Sequence, residues 1–372
     1  MRVLCDPPQL SFVCFVALSR LAAPLPSLDG KKDAVVNKPR EHNTKTGRAQ
    51  KVDLFPPRRK KPSFGDTPPK PTSEAPRTRH KSKEPNIEPE VEHRKESLER
   101  VLKKGELVVG SLLGQGGEGA VYKATLRGKP VAVKVYTKRS HLERELDVYR
   151  ALQSERPRAK YFLHCHFSSN VRIGNEERPC LVLEYNAPGT LRRTEPVRMA
   201  QATKIARDVA LALSALHDRG CAHLDVKAAN IMSPTAEGAP YRLSDFGFTK
   251  LLAADQILPG SYGTQGYTAP EIVLHGRPTL KSDVFSLGIT LAESASGERF
   301  LQRPRFREIA GCDAKSDSYY RQLFERLKDS HVEQELQRLR LPSKFTQSVA
   351  QMVRLQPESR LSISSVLERF AE

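Results

Sequence analysis

Long apolar runs are absent from most of this chain. After residue 25 no segment approaches the ~18 apolar residues that a bilayer-spanning helix needs, which excludes such a helix from that part of the sequence. No internal repeat is evident. Cysteine is sparse, six in 372 residues, and no pair is spaced C-x-x-C, so neither a redox dithiol nor a zinc ribbon is expected. "HCH" at 164 to 166 is the one local group of soft ligands. On a strand, His164 and His166 share one face and Cys165 takes the other. Without a second cluster, no zinc site is expected there.

Acidic charge is also in deficit. Formal net charge is +18, and more than half of it lies between Lys31 and Lys104, where about 21 Lys and Arg meet about 11 Asp and Glu. Such a balance suits anionic partners, here a membrane surface bound through residues 31–104, and no nucleic acid is expected. The plainer reading of the same charges is a solvated tail. The start of the chain differs: Arg2 precedes the apolar run "LSFVCFVAL" (Leu10 to Leu18), with small residues at Ala17 and Ser19. Residues 1–19 therefore read as a signal peptide, which would remove Cys5 and Cys14. Residues 20–86 are basic, proline-rich and aromatic-poor, and are expected to be disordered. Residues 87–104 place Leu98, Val101 and Leu102 on a narrow helical stripe and read as a short leading helix.

From 105 to 371 the texture becomes that of a folded domain, and 38% hydrophobic residues overall permit a substantial core. "ELVVGSLLG", "AVYKATL" and "PVAVKVY" are β-rich runs separated by Gly or Pro turns. "HLERELDVYRAL" is helical, "YFLHCHF" and "CLVLEY" read as two more strands, and from Met199 onward apolar residues recur at three and four. A small β lobe followed by a larger helical lobe is expected.

Gly114, Gly116 and Gly119 form G-x-G-x-x-G around Gln115, Gly117 and Glu118. Alone this pattern also opens dinucleotide-binding folds. Here the glycines lie between two strands, and "VAVK" ends at Lys134 on the next, whereas a dinucleotide fold would open a helix. Further on stand "HLDVKAAN" (Asp225, Lys227, Asn230), "DFG" at 245–247, "GTQGYTAPE" at 263–271, "KSDVFSLG" and "PESRLS", in that order.

With these motifs over residues 105 to 371 the sequence resembles a eukaryotic-type serine/threonine protein kinase. The resemblance implies an α+β bilobal fold, ATP and Mg²⁺ as cofactors, and a protein Ser/Thr substrate. Lys134 would hold the α- and β-phosphates and pair with Glu145, preferred over Glu143 on helix phase. Asp225 would be the catalytic aspartate and Lys227 the lysine aimed at the transferring group. Asn230 and Asp245 would bind metal. Val121, Ala132 and Met232 would enclose the base, with Leu183 as gatekeeper and Glu184 and Tyr185 opening the hinge. Thr264 would serve substrate docking, Asp283 would brace the catalytic loop, and Glu271 would pair with Arg360.

Leu224 departs from the family, which usually has an arginine there to receive a phosphorylated activation segment. The expectation is an enzyme that works without that switch, its segment held by packing. The alternative is a pseudokinase that binds nucleotide or a partner without efficient catalysis. A leader, a basic arm and the missing arginine together resemble the secreted rhoptry kinases of coccidian parasites. Plastid and cytoplasmic locations are the alternatives.

Overall fold

The computed structural model describes residues 107–153, 157–191, 195–253, 257–258 and 262–371. The expected signal peptide, basic segment and leading helix lie outside them. Among the described residues no helix is long and apolar enough to cross a membrane.

Five strands open the domain: β1 (Leu107–Gly116), β2 (Gly119–Leu126), β3 (Lys129–Tyr136), β4 (Cys165–Ile173) and β5 (Glu176–Glu184). They form one antiparallel sheet in the order β1-β2-β3-β5-β4. The two-residue period of β3 divides its side chains cleanly. Val131, Val133 and Val135 join Cys180, Val182 and Phe167 in a small outer core. Ala132 and Tyr136 face the other way, into the main core that joins the two lobes. Lys134, between Ala132 and Tyr136 in this alternation, is thereby delivered to the cleft. Cys165 lies in the main core and Cys180 in the outer one, so the two thiols occupy opposite faces of the sheet.

Helix α1 (Arg139–Gln153) follows β3 after a two-residue connection and buries Leu142, Glu145, Leu146, Val148, Tyr149 and Leu152. Five of these are apolar, and Glu145 is the exception that demands an explanation.

The larger lobe is built on two long helices, α2 (Met199–His217) and α4 (Leu280–Ser296); between them in the chain lies the short α3 (Pro270–His275). Ile205, Val209, Leu213 and Leu216 on α2 are all fully buried, each contributing ~1.5–3 kcal/mol of transfer free energy. Helix α4 is buried along almost its whole length. Two of its hydroxyls bond inward: Ser286 Oγ donates to the Tyr267 carbonyl at 2.7 Å, and Thr290 Oγ1 to the Ser286 carbonyl at 2.7 Å. Five further helices complete the lobe: α5 (Pro304–Ala310), α6 (Tyr319–Arg326), α7 (Asp329–Arg338), α8 (Ser343–Met352) and α9 (Ile363–Arg369).

Two short ladders floor the cleft. β6 (Cys221–Ala222) pairs with β9 (Lys250–Leu251), and β7 (Ile231–Met232) pairs with β8 (Arg242–Leu243). They fix the loops 223–230 and 244–249 side by side.

The two-lobed α+β architecture expected from the sequence is the one observed. One strand is displaced. "YFLHCHF" does not form a strand throughout: Tyr161 ends a 3-10 turn (Arg158–Tyr161), and the strand begins at Cys165 and runs on to Ile173. Phe162 and Leu163 are each 3% exposed. They are drawn toward the large lobe, where the Leu163 N–H donates to the Leu243 carbonyl at 3.1 Å. The alternation expected at 164–166 does hold, with the His164 and His166 rings edge-to-face at 4.9 Å between centroids.

Candidate active site

Glu145 is fully buried, a costly place for a carboxylate unless it is paired. Lys134 Nζ lies 2.7 Å from its Oε2, Tyr136 donates its hydroxyl to the same oxygen at 2.8 Å, and the Phe246 N–H reaches Oε1 at 3.3 Å. Glu143, the competing partner, is exposed on the helix surface. Lys134 Nζ also reaches Asp245 Oδ1 at 2.8 Å. Burial would lower the lysine, but the Glu145 and Asp245 carboxylates outweigh it and hold its pKa above the ordinary value. Burial raises the Glu145 carboxyl despite Lys134 beside it. Removal from bulk water would raise Asp245 too, yet the Lys134 ammonium holds it down at about 2.

The loop after β6 is pinned from below by one residue. Asp283 is fully buried and accepts the N–H groups of His223 and Leu224, both at 2.8 Å, with His217 Nε2 at 2.9 Å. This holds Leu224 at φ 65°, a left-handed conformation uncommon for leucine. His223 is fully buried, and burial holds its pKa below the ordinary value. Its Nδ1 accepts the Asp225 N–H at 3.2 Å, so the ring proton resides on Nε2, which faces the Ser244 carbonyl at 3.3 Å.

Asp225, 3% exposed, gathers three donors. Lys227 Nζ and Asn230 Nδ2 reach Oδ2 at 2.7 and 2.9 Å, and the Thr264 hydroxyl donates to Oδ1 at 2.6 Å. Lys227 Nζ also donates to Thr264 Oγ1 at 2.5 Å. The loop 223–230 and the segment carrying Thr264 are thus joined through three side chains, Asp225, Lys227 and Thr264. Asn230 commits its amide nitrogen to Asp225, also reaching that residue's carbonyl at 2.8 Å, which leaves its oxygen as a donor for a hard cation. Asp245 supplies a carboxylate ionised near neutral pH, with 41% of its side chain exposed. The pair suits Mg²⁺, which takes few protein ligands and fills its shell with phosphate and water.

Above, Gly116 and Gly119 face each other across the hairpin that carries Gly117 and Glu118. Only Gly119 is imposed by packing: a Cβ there would lie 1.8 Å from the Val135 carbonyl. At Gly114, Gly116 and Gly117 a Cβ would meet nothing within 4 Å. Val121 and Met232 pack against the main core with Ala132, beside Leu183. Leu113 joins them and was not singled out from sequence. Its position directly before Gly114, on the strand leading to the turn, was the available signal. Glu184 is anchored by Arg242 at 2.6 Å, and the same guanidinium reaches Asn186 Oδ1 at 2.6 Å. Tyr185 lies under Lys123 Nζ, 5.0 Å from its ring centroid. No helix follows this hinge among the described residues before Met199.

An aromatic stack that sequence reading missed runs behind these groups. Phe246 is 1% exposed and meets Tyr149 at 4.9 Å, His223 at 5.4 Å and Phe162 at 5.9 Å between ring centroids. Tyr149 stands four residues after Glu145, one turn along the same face of α1, which was the signal to follow. In the large lobe Arg360, its side chain fully buried, makes a two-pronged pair with Glu271 at 2.7 and 2.6 Å, as expected. Burial pushes the Cys165, Cys180 and Cys221 thiols up to about 12, so none is a nucleophile near neutral pH.

Leu224 is 4% exposed. It packs with Ala222, Leu258 and Ile272, and Phe248, Leu252, Tyr262 and Leu280 pack against this group. Gly263 approaches the Leu224 carbonyl so closely that a Cβ there would stand 2.5 Å away.

Comparison with known proteins follows the same lines. The family described as protein kinase domain matches residues 107–370. The serine/threonine-protein kinase PknK of Mycobacterium tuberculosis is 32% identical over 198 residues, 51% of this chain and 18% of that protein. Calmodulin-binding receptor-like cytoplasmic kinase 2 of Arabidopsis thaliana is 34% identical over 210 residues, 52% of this chain and 50% of that one. The dual specificity protein kinase shkE of Dictyostelium discoideum is 28% identical over 275 residues, 70% of this chain and 36% of its own length. The chain thus spans half or less of each of these relatives. With the family matched over its whole described domain, the chain belongs to the protein kinase family.

Proposed function

We propose that the chain is an active, ATP-dependent kinase that transfers phosphate to serine and threonine hydroxyls of proteins. The observation that carries this reading is the Asp225–Lys227–Thr264 cluster, assembled in one cleft with the paired Lys134. Asp225 orients the incoming hydroxyl and accepts its proton, with Lys227 beside it to offset the charge of the transferring group. Lys134, held in place by Glu145, positions the nucleotide phosphates. The glycine turn, Leu113, Val121, Ala132, Met232 and the hinge at Leu183 to Tyr185 hold the nucleotide. Asn230 and Asp245 would hold Mg²⁺, which neutralises phosphate charge. Thr264, bonded to both Asp225 and Lys227, supports the serine/threonine assignment.

The test is phosphoamino-acid analysis of a mixed protein substrate after incubation with Mg²⁺ and γ-labelled ATP. Wild type should yield phosphoserine or phosphothreonine, and Asp225→Asn should lower turnover at least ~10²-fold, the scale of a lost acid–base group. Equal activity in the two proteins would refute the assignment and leave the pseudokinase reading.

For location, the reading is entry into the secretory pathway and action as a secreted effector of the rhoptry type, with residues 31–104 adhering to anionic membrane surfaces. The apolar run at Leu10–Leu18 and the basic excess that follows support it. Tagged protein should lose its leader and occupy secretory vesicles; plastid import or an uncleaved cytoplasmic pool would count against it.

A further inference from the structure

The tip of the hairpin between β1 and β2 makes contacts that phosphate binding by its glycines does not require. The Glu118 carbonyl accepts the Thr137 N–H at 3.2 Å and its hydroxyl at 3.4 Å, which ties the tip to the entrance of α1. The Glu118 side chain reaches the same helix. Its Oε1 lies 3.8 Å from His141 Nδ1 and 3.9 Å from Arg144 Nη2. That His141 nitrogen is buried and has no hydrogen-bond partner. Oε2 lies against the opposite wall of the cleft, where a Cβ on Gly247 would stand 2.2 Å from it and 3.5 Å from Asp245 Oδ1. One carboxylate at the tip of the hairpin therefore faces the Arg144 guanidinium and the His141 ring of α1 and lies against Gly247, two residues beyond Asp245.

His141 and Arg144 stand four and one residues before Glu145 on the turn of α1 that seats Lys134. We propose that Glu118 is a positioning residue that couples closure of the glycine-rich turn to the seating of α1. When the turn lifts, α1 loses its anionic anchor; when α1 swings outward, the turn loses the Arg144 guanidinium that holds it down. Nucleotide then binds a lid that is already closed, and less ordering is required on binding. The proposal rests on reading the cleft as a nucleotide site.

The test uses the full chain and its Glu118→Gln, Arg144→Gln and doubly substituted forms. Binding of a methylanthraniloyl-ATP probe with Mg²⁺ is measured alongside steady-state kinetics. Each single variant should bind the probe about three- to five-fold more weakly and raise the KM for ATP equally. Their kcat should stay within about two-fold of wild type. The double variant should be no worse than either single one, as for two residues acting through one contact. Melting temperatures should coincide, because Glu118 belongs to neither apolar core. Normal probe binding by the single variants, or additive losses in the double, would overturn the coupling while leaving the nucleotide site intact. Failure of wild type to bind the probe would overturn the nucleotide-site reading and this proposal with it.

Discussion

Leu224→Ala tests what holds the activation segment in place. The leucine side chain is 4% exposed and sits among Ala222, Leu258 and Ile272. Truncating a buried leucine costs ~2–5 kcal/mol, more where the cavity cannot collapse. Here Phe248, Leu252, Tyr262 and Leu280 are only partly buried and can settle inward, so a value near ~2 kcal/mol is expected. Leu258 and Tyr262 belong to the segment itself, whereas Ala222 belongs to the floor of the cleft. The loss therefore weakens docking of the segment as well as the fold. A loss of ~2 kcal/mol multiplies an open population by ~30-fold, and cleavage through local opening follows that population. Chymotrypsin, which cuts after tyrosine, should cleave the Tyr262–Gly263 bond ~30-fold faster in Leu224→Ala than in wild type, with Tm lower by ~4–8 °C. An unchanged cleavage rate at this bond would show that the segment is held elsewhere than at Leu224.

Two further outcomes follow from buried charge. Glu271→Ala leaves the fully buried Arg360 guanidinium without its two-pronged partner, a loss of ~3–5 kcal/mol. Calorimetry should show Tm falling by on the order of 10 °C; Arg360→Lys should fail as well, since an ammonium cannot make the paired contact. The second outcome concerns acid. Asp245 is held below its ordinary 3.8, at about 2, so its pairing with Lys134 contributes stability above pH ~4 that is lost as pH falls toward 2. Its side chain is 41% exposed, and screening limits that contribution to ~1 kcal/mol or less. Urea titrations should show Lys134→Met less stable than wild type at pH 7, with the gap narrowing as pH falls through 4 toward 3. A gap that widens in acid would contradict the pairing.

Much of this site could be read from sequence because its chemistry is tied to spacing. Lys134 lies on a strand whose alternate residues face the cleft. Eleven residues later Glu145 falls on the inward face of a helix that follows the strand after a two-residue connection. Asp225, Lys227 and Asn230 share one loop, so their order alone places them together. Features made by contact across the fold were harder to see. Phe162 and Leu163 look like strand residues, yet the large lobe claims them and the strand starts later. The absence of arginine at position 224 was plain, but not the apolar group that receives Leu224, because Leu258 and Ile272 lie more than thirty residues away. Tyr136 as a second donor to Glu145, and Tyr149 and Phe162 around Phe246, likewise depend on how strand, helix and loop meet. The reach of Glu118 to Arg144 depends on the closed position of a hairpin, which no local pattern encodes.

If packing around Leu224 holds the activation segment, the kinase is competent without phosphate there, and turnover after phosphatase treatment tests this. The full chain is treated until mass spectrometry finds no phosphate between Leu251 and Glu271, the phosphatase is removed, and initial rates are recorded with Mg²⁺, ATP and a serine- or threonine-bearing substrate. Treated and untreated protein should agree within a few-fold. A regulatory phosphate would instead produce a difference of about 5–150-fold, matching a coupling of ~1–3 kcal/mol. Activity that vanishes on treatment and returns with a phosphate on this segment would contradict the account, because Leu224 offers no cation to receive it.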